Sequence, residues 1–345
     1  MPPNYYLQIM RTTFLTIFMA LICLAGCRQP HHSKTPISYT ANCRGIYYWR
    51  TTFTLNDSEV QFLKKHHIEK LYIRFFDVDV NPDSTSSEKC IPVATINFKD
   101  PIPKSLEIVP TIFITPDAIR HYQDFTEYLA RRIIAMCQYS EIDVHEIQFD
   151  CDWTASTQED YFQFLKDIRE KLKHYRPSIL ISSTIRLHQL TQEAPEVDYG
   201  MLMCYNTGDF RDFDTHNAIL DLEDVKPYLK NLKNYPLPLA LALPDYAWNV
   251  EFSDERQFKA LNQHDFDFSD AQQFRKTDRK NVYQQLKNGQ PSQYIRHESV
   301  SAKSLLKTKR MLLRSRKDKM HITLYHLDSV QLSKYSDHDI EKIYR

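Results

Sequence analysis

Residues 145–154 read HEIQFDCDWT, which predicts a buried β-strand that ends in acidic residues. Side chains alternate between the two faces of a strand, so Gln148, Asp150 and Asp152 share one face and the apolar residues between them share the other. An unpaired buried acid shifts its pKa or costs stability, and two on one face therefore favour a functional site. The alternative is that Asp152 caps the following helix and Asp150 pairs with a nearby arginine.

Strand-like and helix-like stretches alternate along most of the chain. The predicted strands are Gly45–Trp49, Lys70–Val80, Glu107–Thr115, His145–Trp153, Ser178–Leu187, Tyr199–Asn206, Pro238–Tyr246 and His321–Asp328. The predicted helices are Asn56–His67, Asp117–Tyr139, Thr157–Tyr175, Glu223–Leu232 and Ser301–Lys319. Eight such units predict an α/β fold, a (β/α)₈ TIM barrel with its site at the carboxyl ends of the strands. A doubly wound open sheet is the alternative, but no Gly-rich phosphate loop follows the first strand.

Two segments interrupt this alternation. Asn81–Pro103 is rich in Pro and Ser and has little helical pattern. A polar insertion at about 249–300 separates the seventh strand from the last helix, and it forms either a small cap or a mobile loop. We expect residues 43–345 to form a single barrel domain that carries this insertion.

The N-terminal segment has the pattern of a secretion signal. Arg11 precedes an apolar run, Phe14–Leu24, that is too short for a comfortable membrane span. The next residues, Leu-Ala-Gly-Cys ending at Cys27, look like a bacterial lipobox. We therefore expect a signal peptide over residues 1–26, lipid attachment to Cys27 and a tether over 27–42, which anchors the protein to a membrane of the bacterial cell envelope.

Composition excludes several classes of function. The 44 basic and 44 acidic residues give a net charge of zero, which argues against a surface that neutralises nucleic-acid phosphates. Of 7 cysteines, five remain after Cys23 leaves with the signal and Cys27 takes lipid, so a disulfide framework is not expected. The sequence contains no C-x-x-C pair, so a zinc ribbon is not expected. We expect a monomer without a cofactor.

The 145–154 stretch resembles the fourth-strand signature of the family 18 chitinases, D-G-x-D-x-D-W-E. Asp150, Asp152 and Trp153 match that motif, whereas Thr154 occupies the position of the glutamate that acts as the family's general acid. Residues 197–206, which end in Met-Cys-Tyr205-Asn206, are similar to the family's sixth strand. Leu241–Tyr246 is similar to its seventh strand.

The resemblance implies roles for individual residues. Asp152 would orient a substrate acetamido group, Asp150 would share charge or a proton with it, and Tyr205 would hydrogen-bond the same group. These three are the candidate catalytic residues. The candidate substrate-binding residues are Trp153, Arg186, Asn206, Asp245, Tyr246 and Asp77.

Other polar residues fall at predicted strand ends. Ser182, Thr184, Arg186 and His188 alternate along the fifth strand, so Arg186 is expected to point into the site. The remaining members of this set are Arg50, Arg74, Asp79 and Asp328. Acids and arginines together suit a polyhydroxylated ligand. A metal held by Asp77, Asp79 and His188 is an alternative without diagnostic spacing.

Three functions remain open from the sequence. The first is a glycoside-hydrolase-like lipoprotein that acts on a glycan, with an N-acetylated sugar polymer favoured. In that case another acid, Asp245, Asp77 or Glu159, would replace the missing glutamate, because a threonine hydroxyl is too weak an acid. The second is a lipoprotein that binds carbohydrate without cleaving it. The third is a scaffold of an envelope complex.

Overall fold

A computed structural model describes residues 43–316 and 319–345. The predicted signal peptide, Cys27 and the tether lie outside these residues. The strands are β1 (Arg44–Tyr48), β2 (Thr52–Phe53), β3 (Lys70–Val80), β4 (Cys90–Val93), β5 (Asn97–Phe98), β6 (Glu107–Ile114), β7 (Glu146–Asp150), β8 (Leu180–Arg186), β9 (Tyr199–Met203), β10 (Leu239–Pro244), β11 (Ala247–Ser253), β12 (Phe258–Asn262), β13 (Phe274–Lys276), β14 (Val282–Lys287), β15 (Gln290–Ser299) and β16 (Ile322–Tyr325).

Helices lie between some of these strands. The α-helices are α1 (Asp57–Lys65), α2 (Tyr122–Tyr139), α3 (Gln158–Tyr175), α4 (Leu222–Val225), α5 (Leu229–Asn234), α6 (Ala302–Ser315), α7 (Ser329–Leu332) and α8 (Asp337–Tyr344). Short 3₁₀ turns cover Ala118–His121, Leu187–Thr191 and Lys226–Tyr228. In the described residues 81–103, two short strands replace a helix, as their Pro- and Ser-rich sequence suggests.

Eight parallel strands close into a barrel in the order β1-β3-β6-β7-β8-β9-β10-β16. Closure is complete because β1 pairs with both β3 and β16. The predicted TIM barrel is therefore confirmed, and the open doubly wound sheet is wrong. Each of the eight predicted strand segments overlaps a barrel strand. The apolar outer face of β7 packs under α3, where the rings of Phe149 and Phe164 lie 5.2 Å apart.

Polar residues fill the barrel interior at the amino-terminal ends of the strands. Lys70 Nζ lies 2.7 Å from a carboxylate oxygen of Glu146 and 3.3 Å from one of Glu107, and Lys70 and Glu146 are fully buried. Ser182 donates a hydrogen bond to Glu146 at 2.6 Å. The Tyr72 hydroxyl lies 2.8 Å from that of Tyr199. A buried lysine of this kind is tolerated only because its charge is paired.

The insertion forms an antiparallel sheet in the order β12-β11-β15-β14-β13. The Arg296 side chain is 1% exposed and donates to the Asp212 carbonyl at 2.8 Å and to the Phe210 carbonyl at 3.0 Å. Its guanidinium also pairs with Glu298 at 2.6 Å. This buried arginine therefore ties the loop after β9 to the inserted sheet.

Candidate functional site

The acidic end of β7 lies next to the end of β8. The Thr184 hydroxyl donates to Asp150 Oδ1 at 2.6 Å, and Arg186 Nη2 lies 3.3 Å from the same oxygen. Arg186 Nε donates to Asp152 Oδ1. One guanidinium thus binds both carboxylates of the sequence motif, a buried one and one whose side chain is 48% exposed.

Burial raises the pKa of the Asp150 carboxyl above its usual value, and the neighbouring Asp152 carboxylate raises it further. The Arg186 guanidinium and the Thr184 hydroxyl act in the opposite direction. The net shift is upward, so the Asp150 proton is held more tightly than that of a free aspartate.

Asp152 does not cap the helix that follows it. The helix α3 begins after Thr157, and Asp152 is bonded to Arg186 instead. The alternative interpretation of the sequence is therefore half right. Asp152 as a helix cap is wrong, whereas the predicted pairing of Asp150 with an arginine is present.

Thr154 lies on the surface next to this pair. Its hydroxyl lies 3.0 Å from the Ser156 hydroxyl, and its backbone N–H donates to Thr157 Oγ1 at 3.0 Å. The short turn 154–157 thus satisfies Thr154 with neutral partners. Glu159, the weakest of the three substitute acids, lies exposed in the first turn of α3.

An aromatic cluster lies at the carboxyl ends of β1, β9, β10 and β16. The Tyr325 ring lies 4.9 Å from that of Tyr205, 5.9 Å from that of Tyr246 and 5.5 Å from that of Tyr47, between ring centroids. Trp49 joins the cluster, 5.9 Å from Tyr325. These rings form an apolar lining at the mouth of the barrel, the end at which TIM barrels carry their sites.

Two predicted substrate-binding residues bond to each other in this lining. The Tyr246 hydroxyl donates to Asn206 Oδ1 at 2.7 Å. Asn206 has a φ of 52°, a left-handed conformation that asparagine tolerates better than most residues. The bond fixes the end of β9 against the start of the inserted sheet.

Asp77 is paired with Arg74 at the same mouth. Arg74 Nε donates to Asp77 Oδ1 at 2.7 Å, and the guanidinium carbon lies 5.6 Å from the centroid of the Trp49 ring. An irregularity in the register of β3 between Arg74 and Phe76 brings both side chains to the same side of the strand. Asp77 is thus engaged by a cation, as are Asp150 and Asp152.

Trp153 and Asp245 are buried side chains, 0% and 2% exposed. Trp153 is fully buried, and its ring packs on Tyr161 and Phe162 of α3. Burial raises the pKa of the Asp245 carboxyl well above its usual value, and the next cause is the carboxylate of Asp328. These surroundings favour packing for Trp153 and a neutral buried acid for Asp245 over the substrate contacts predicted from sequence.

The other strand-end residues have separate partners. Arg50 pairs with Glu59 at 2.6 Å, and Asp79 accepts from the Thr115 hydroxyl at 3.0 Å. Asp328 caps α7, and His188 is exposed beyond the end of β8. Within residues 43–316 and 319–345, no three His, Cys, Asp or Glu side chains lie close enough to hold a metal, and the five cysteines there are free.

Sequence reasoning missed three members of the aromatic cluster, Tyr47, Trp49 and Tyr325. Tyr47 and Trp49 occur at the end of the first predicted strand, and Tyr325 occurs at the end of the last. The signal was available, because all three follow apolar strand residues at the carboxyl ends that build TIM-barrel sites.

No helix among the described residues is both long enough and apolar enough to cross a membrane.

Solved structures with a similar fold include chitinases and a spore cortex-lytic enzyme. A chitinase from Chromobacterium violaceum superposes with a TM-score of 0.53 at 10% identity, over 88% of this chain and 98% of the other. The Bacillus cereus spore cortex-lytic enzyme SleL gives a TM-score of 0.54 at 14% identity, over 88% and 74%. A plant class V chitinase mutant from Cycas revoluta in complex with (GlcNAc)3 gives 0.50 at 11% identity, over 88% and 98%.

These likenesses show that the chain has the chitinase-like form of the (β/α)₈ barrel, as the fourth-strand motif suggested. The identities are too low to carry more than the fold. No protein-family model and no curated protein matches the sequence.

Proposed function

We propose that this protein binds a glycan of N-acetylated sugars at the mouth of its barrel and does not hydrolyse it. The observation that carries the proposal is the guanidinium of Arg186, which binds both Asp150 and Asp152 beside Thr154. The chitinase-like fold supports the choice of ligand, since one such barrel is crystallised with (GlcNAc)3. The lipobox-like sequence before Cys27 supports a place in the bacterial cell envelope, anchored by lipid.

Hydrolysis needs a proton donor for the leaving oxygen. A positioned general acid contributes about 10²–10⁴-fold to the rate, and Thr154 supplies none near neutral pH. Of the acids that could replace it, Asp77 is bonded to Arg74, and Asp245 is buried beside Asp328. Asp150, whose pKa burial raises, lies buried under Arg186.

A catalytic role for Asp152 would also require its side chain to move, and the bond from Arg186 restricts that movement. In a chitinase-like reaction, the carboxylate would turn toward the substrate acetamido group. Here one of its oxygens accepts from Arg186 Nε, so engaging a substrate in that way would mean breaking a charge-assisted bond. The other oxygen has no protein partner among the described contacts of Asp152, and it remains available to accept a ligand N–H or O–H.

The mouth has the properties of a sugar-binding surface. The half-buried rings of Trp49 and Tyr325, backed by the buried rings of Tyr205 and Tyr246, offer apolar surface that suits the C–H faces of pyranose rings. Paired ions at the rim supply directional hydrogen bonds while leaving little net charge. Such a combination of apolar walls with a few fixed polar groups is typical of small-ligand sites.

The test measures binding and cleavage separately on one preparation. Titration calorimetry with GlcNAc oligomers is expected to give saturable binding, which Tyr325→Ala weakens because it removes the central, half-buried ring of the cluster. Tyr175→Ser, on the outer end of α3, is the control and should bind as the wild type does. Absence of binding to N-acetylated oligomers, with the protein folded, would refute the proposal.

A further inference from the structure

A groove of about 630 Å³ lies on the outer wall of the barrel, between α2 and the segment 95–98 before and within β5. This volume lies within the range of small-ligand sites. Ile96, Phe98 and Met136 supply its apolar floor, and Tyr128 and Arg131 lie along its edge. The groove is separate in the fold from the aromatic cluster at the mouth.

Two exposed tyrosines mark the ends of this groove along α2. Tyr128 is 57% exposed and Tyr139 is 92% exposed. They are eleven residues apart, which is about three turns and about 16 Å of helix rise, so both lie on one face. Tyrosine rings exposed at both ends of one groove can stack on the sugar rings of a glycan that runs along it.

The groove is cationic. Arg131 and Arg132 line it, and none of the residues that line it is acidic. Arg132 donates to the Thr95 hydroxyl at 2.9 Å, while its Nε is buried without a partner among the described residues. The Arg131 side chain is 66% exposed and shares Glu127 with Lys171, so two cations face one carboxylate.

We infer that this groove is a second contact for the glycan proposed to bind at the mouth, and that this glycan carries carboxylates. Tyrosine rings suit the sugars, and guanidinium groups bind carboxylates with paired hydrogen bonds. Peptidoglycan has this chemistry through the free carboxylates of its peptide stems, whereas chitin is neutral. The protein's own segment 28–42 is a poor occupant, because it contains Arg28 and Lys34 and no acid.

The inference rests on the proposed function for its ligand, and its test separates the two sites. Co-sedimentation with insoluble peptidoglycan sacculi is compared with co-sedimentation with crystalline chitin. The double variant Tyr128→Ser, Tyr139→Ser is expected to bind sacculi about tenfold more weakly, because two ring contacts of a bivalent attachment are lost. Affinity for a soluble GlcNAc trimer, which measures the mouth alone, should not change. Tyr175→Ser is the matched control.

A second variant tests the charge. Arg131→Gln should weaken binding to sacculi about threefold and leave chitin unaffected, since only the former offers carboxylates. Equal losses on both polymers would overturn the assignment of an acidic glycan. Sacculus binding at the wild-type level in the double tyrosine variant, or its capture by anionic phospholipid vesicles instead, would overturn the groove. If the trimer fails to bind while the tyrosine variant loses sacculi, the mouth proposal fails and the groove stands.

Discussion

Replacing Arg186 by methionine tests the electrostatics of the barrel mouth directly. The substitution keeps most of the apolar stem and removes the cation that binds Asp150 and Asp152. Breaking a buried ion pair typically costs about 3–5 kcal/mol. Here Asp152 is half exposed and Asp150 can keep a proton, so we expect a loss of about 2–3 kcal/mol at pH 7.5.

The loss should depend on pH in a defined direction. The pKa of Asp150 is already raised in the folded protein, and removing the guanidinium raises it further. A folded state that holds a proton more tightly than the unfolded chain is penalised as pH rises above the unfolded pKa, about 3.9. The variant should therefore lose less at pH 4.5, about 1 kcal/mol, because the penalty for an ionised, buried Asp150 shrinks as pH falls toward the unfolded pKa.

Urea unfolding of both proteins at pH 4.5 and 7.5 measures this difference. Lys173→Met is the control, because Lys173 pairs with Glu170 at 2.8 Å on α3 and the two side chains are 46% and 67% exposed. A surface pair should cost about 0.2–1 kcal/mol at both pH values. If Arg186→Met is as stable as the wild type at pH 7.5, or loses more at pH 4.5, the account of the Asp150–Arg186–Asp152 group is incorrect.

Three further predictions address the interior, the buried tryptophan and the exposed acid. Lys70→Met leaves Glu146 and Glu107 without their buried cation and should cost about 3–5 kcal/mol in urea unfolding; a cost under 1 kcal/mol would contradict the paired network. Trp153→Ala should cost about 3–5 kcal/mol because it opens a cavity under α3, whereas Trp153→Phe should bind GlcNAc oligomers as the wild type does in calorimetry. Asp152→Asn should weaken oligomer binding while the melting temperature holds, since the side chain is half exposed; a lower melting temperature with intact binding would make it structural.

The barrel was predictable because its signals are local. Each predicted strand is an apolar run of the right length, and alternation along β7 indicates which residues line the interior. The same alternation separates Trp153 from Asp152 and Asp245 from Tyr246, because neighbours on an extended chain point to opposite sides. The substrate-binding role that the family motif implied for Trp153 ignored this alternation, because Trp153 lies on the apolar face with Phe149.

The ion pairs of the mouth were not predictable from spacing. Arg186 meets Asp150 and Asp152 only because the register of β7 and β8 places their ends side by side. Arg74 and Asp77 are three residues apart and would lie on opposite faces of a regular strand. The irregularity in β3 that unites them depends on its pairing with β6, which no local pattern records.

The most direct test of the proposal that this barrel binds a glycan without cutting it is the release of reducing ends from a GlcNAc hexamer. Wild-type protein should be incubated at a concentration at which calorimetry shows the hexamer bound. The account predicts release no faster than in buffer, because Thr154 gives no proton and Arg186 holds both carboxylates. Release above that level by the wild type, abolished in Asp152→Asn, would contradict it.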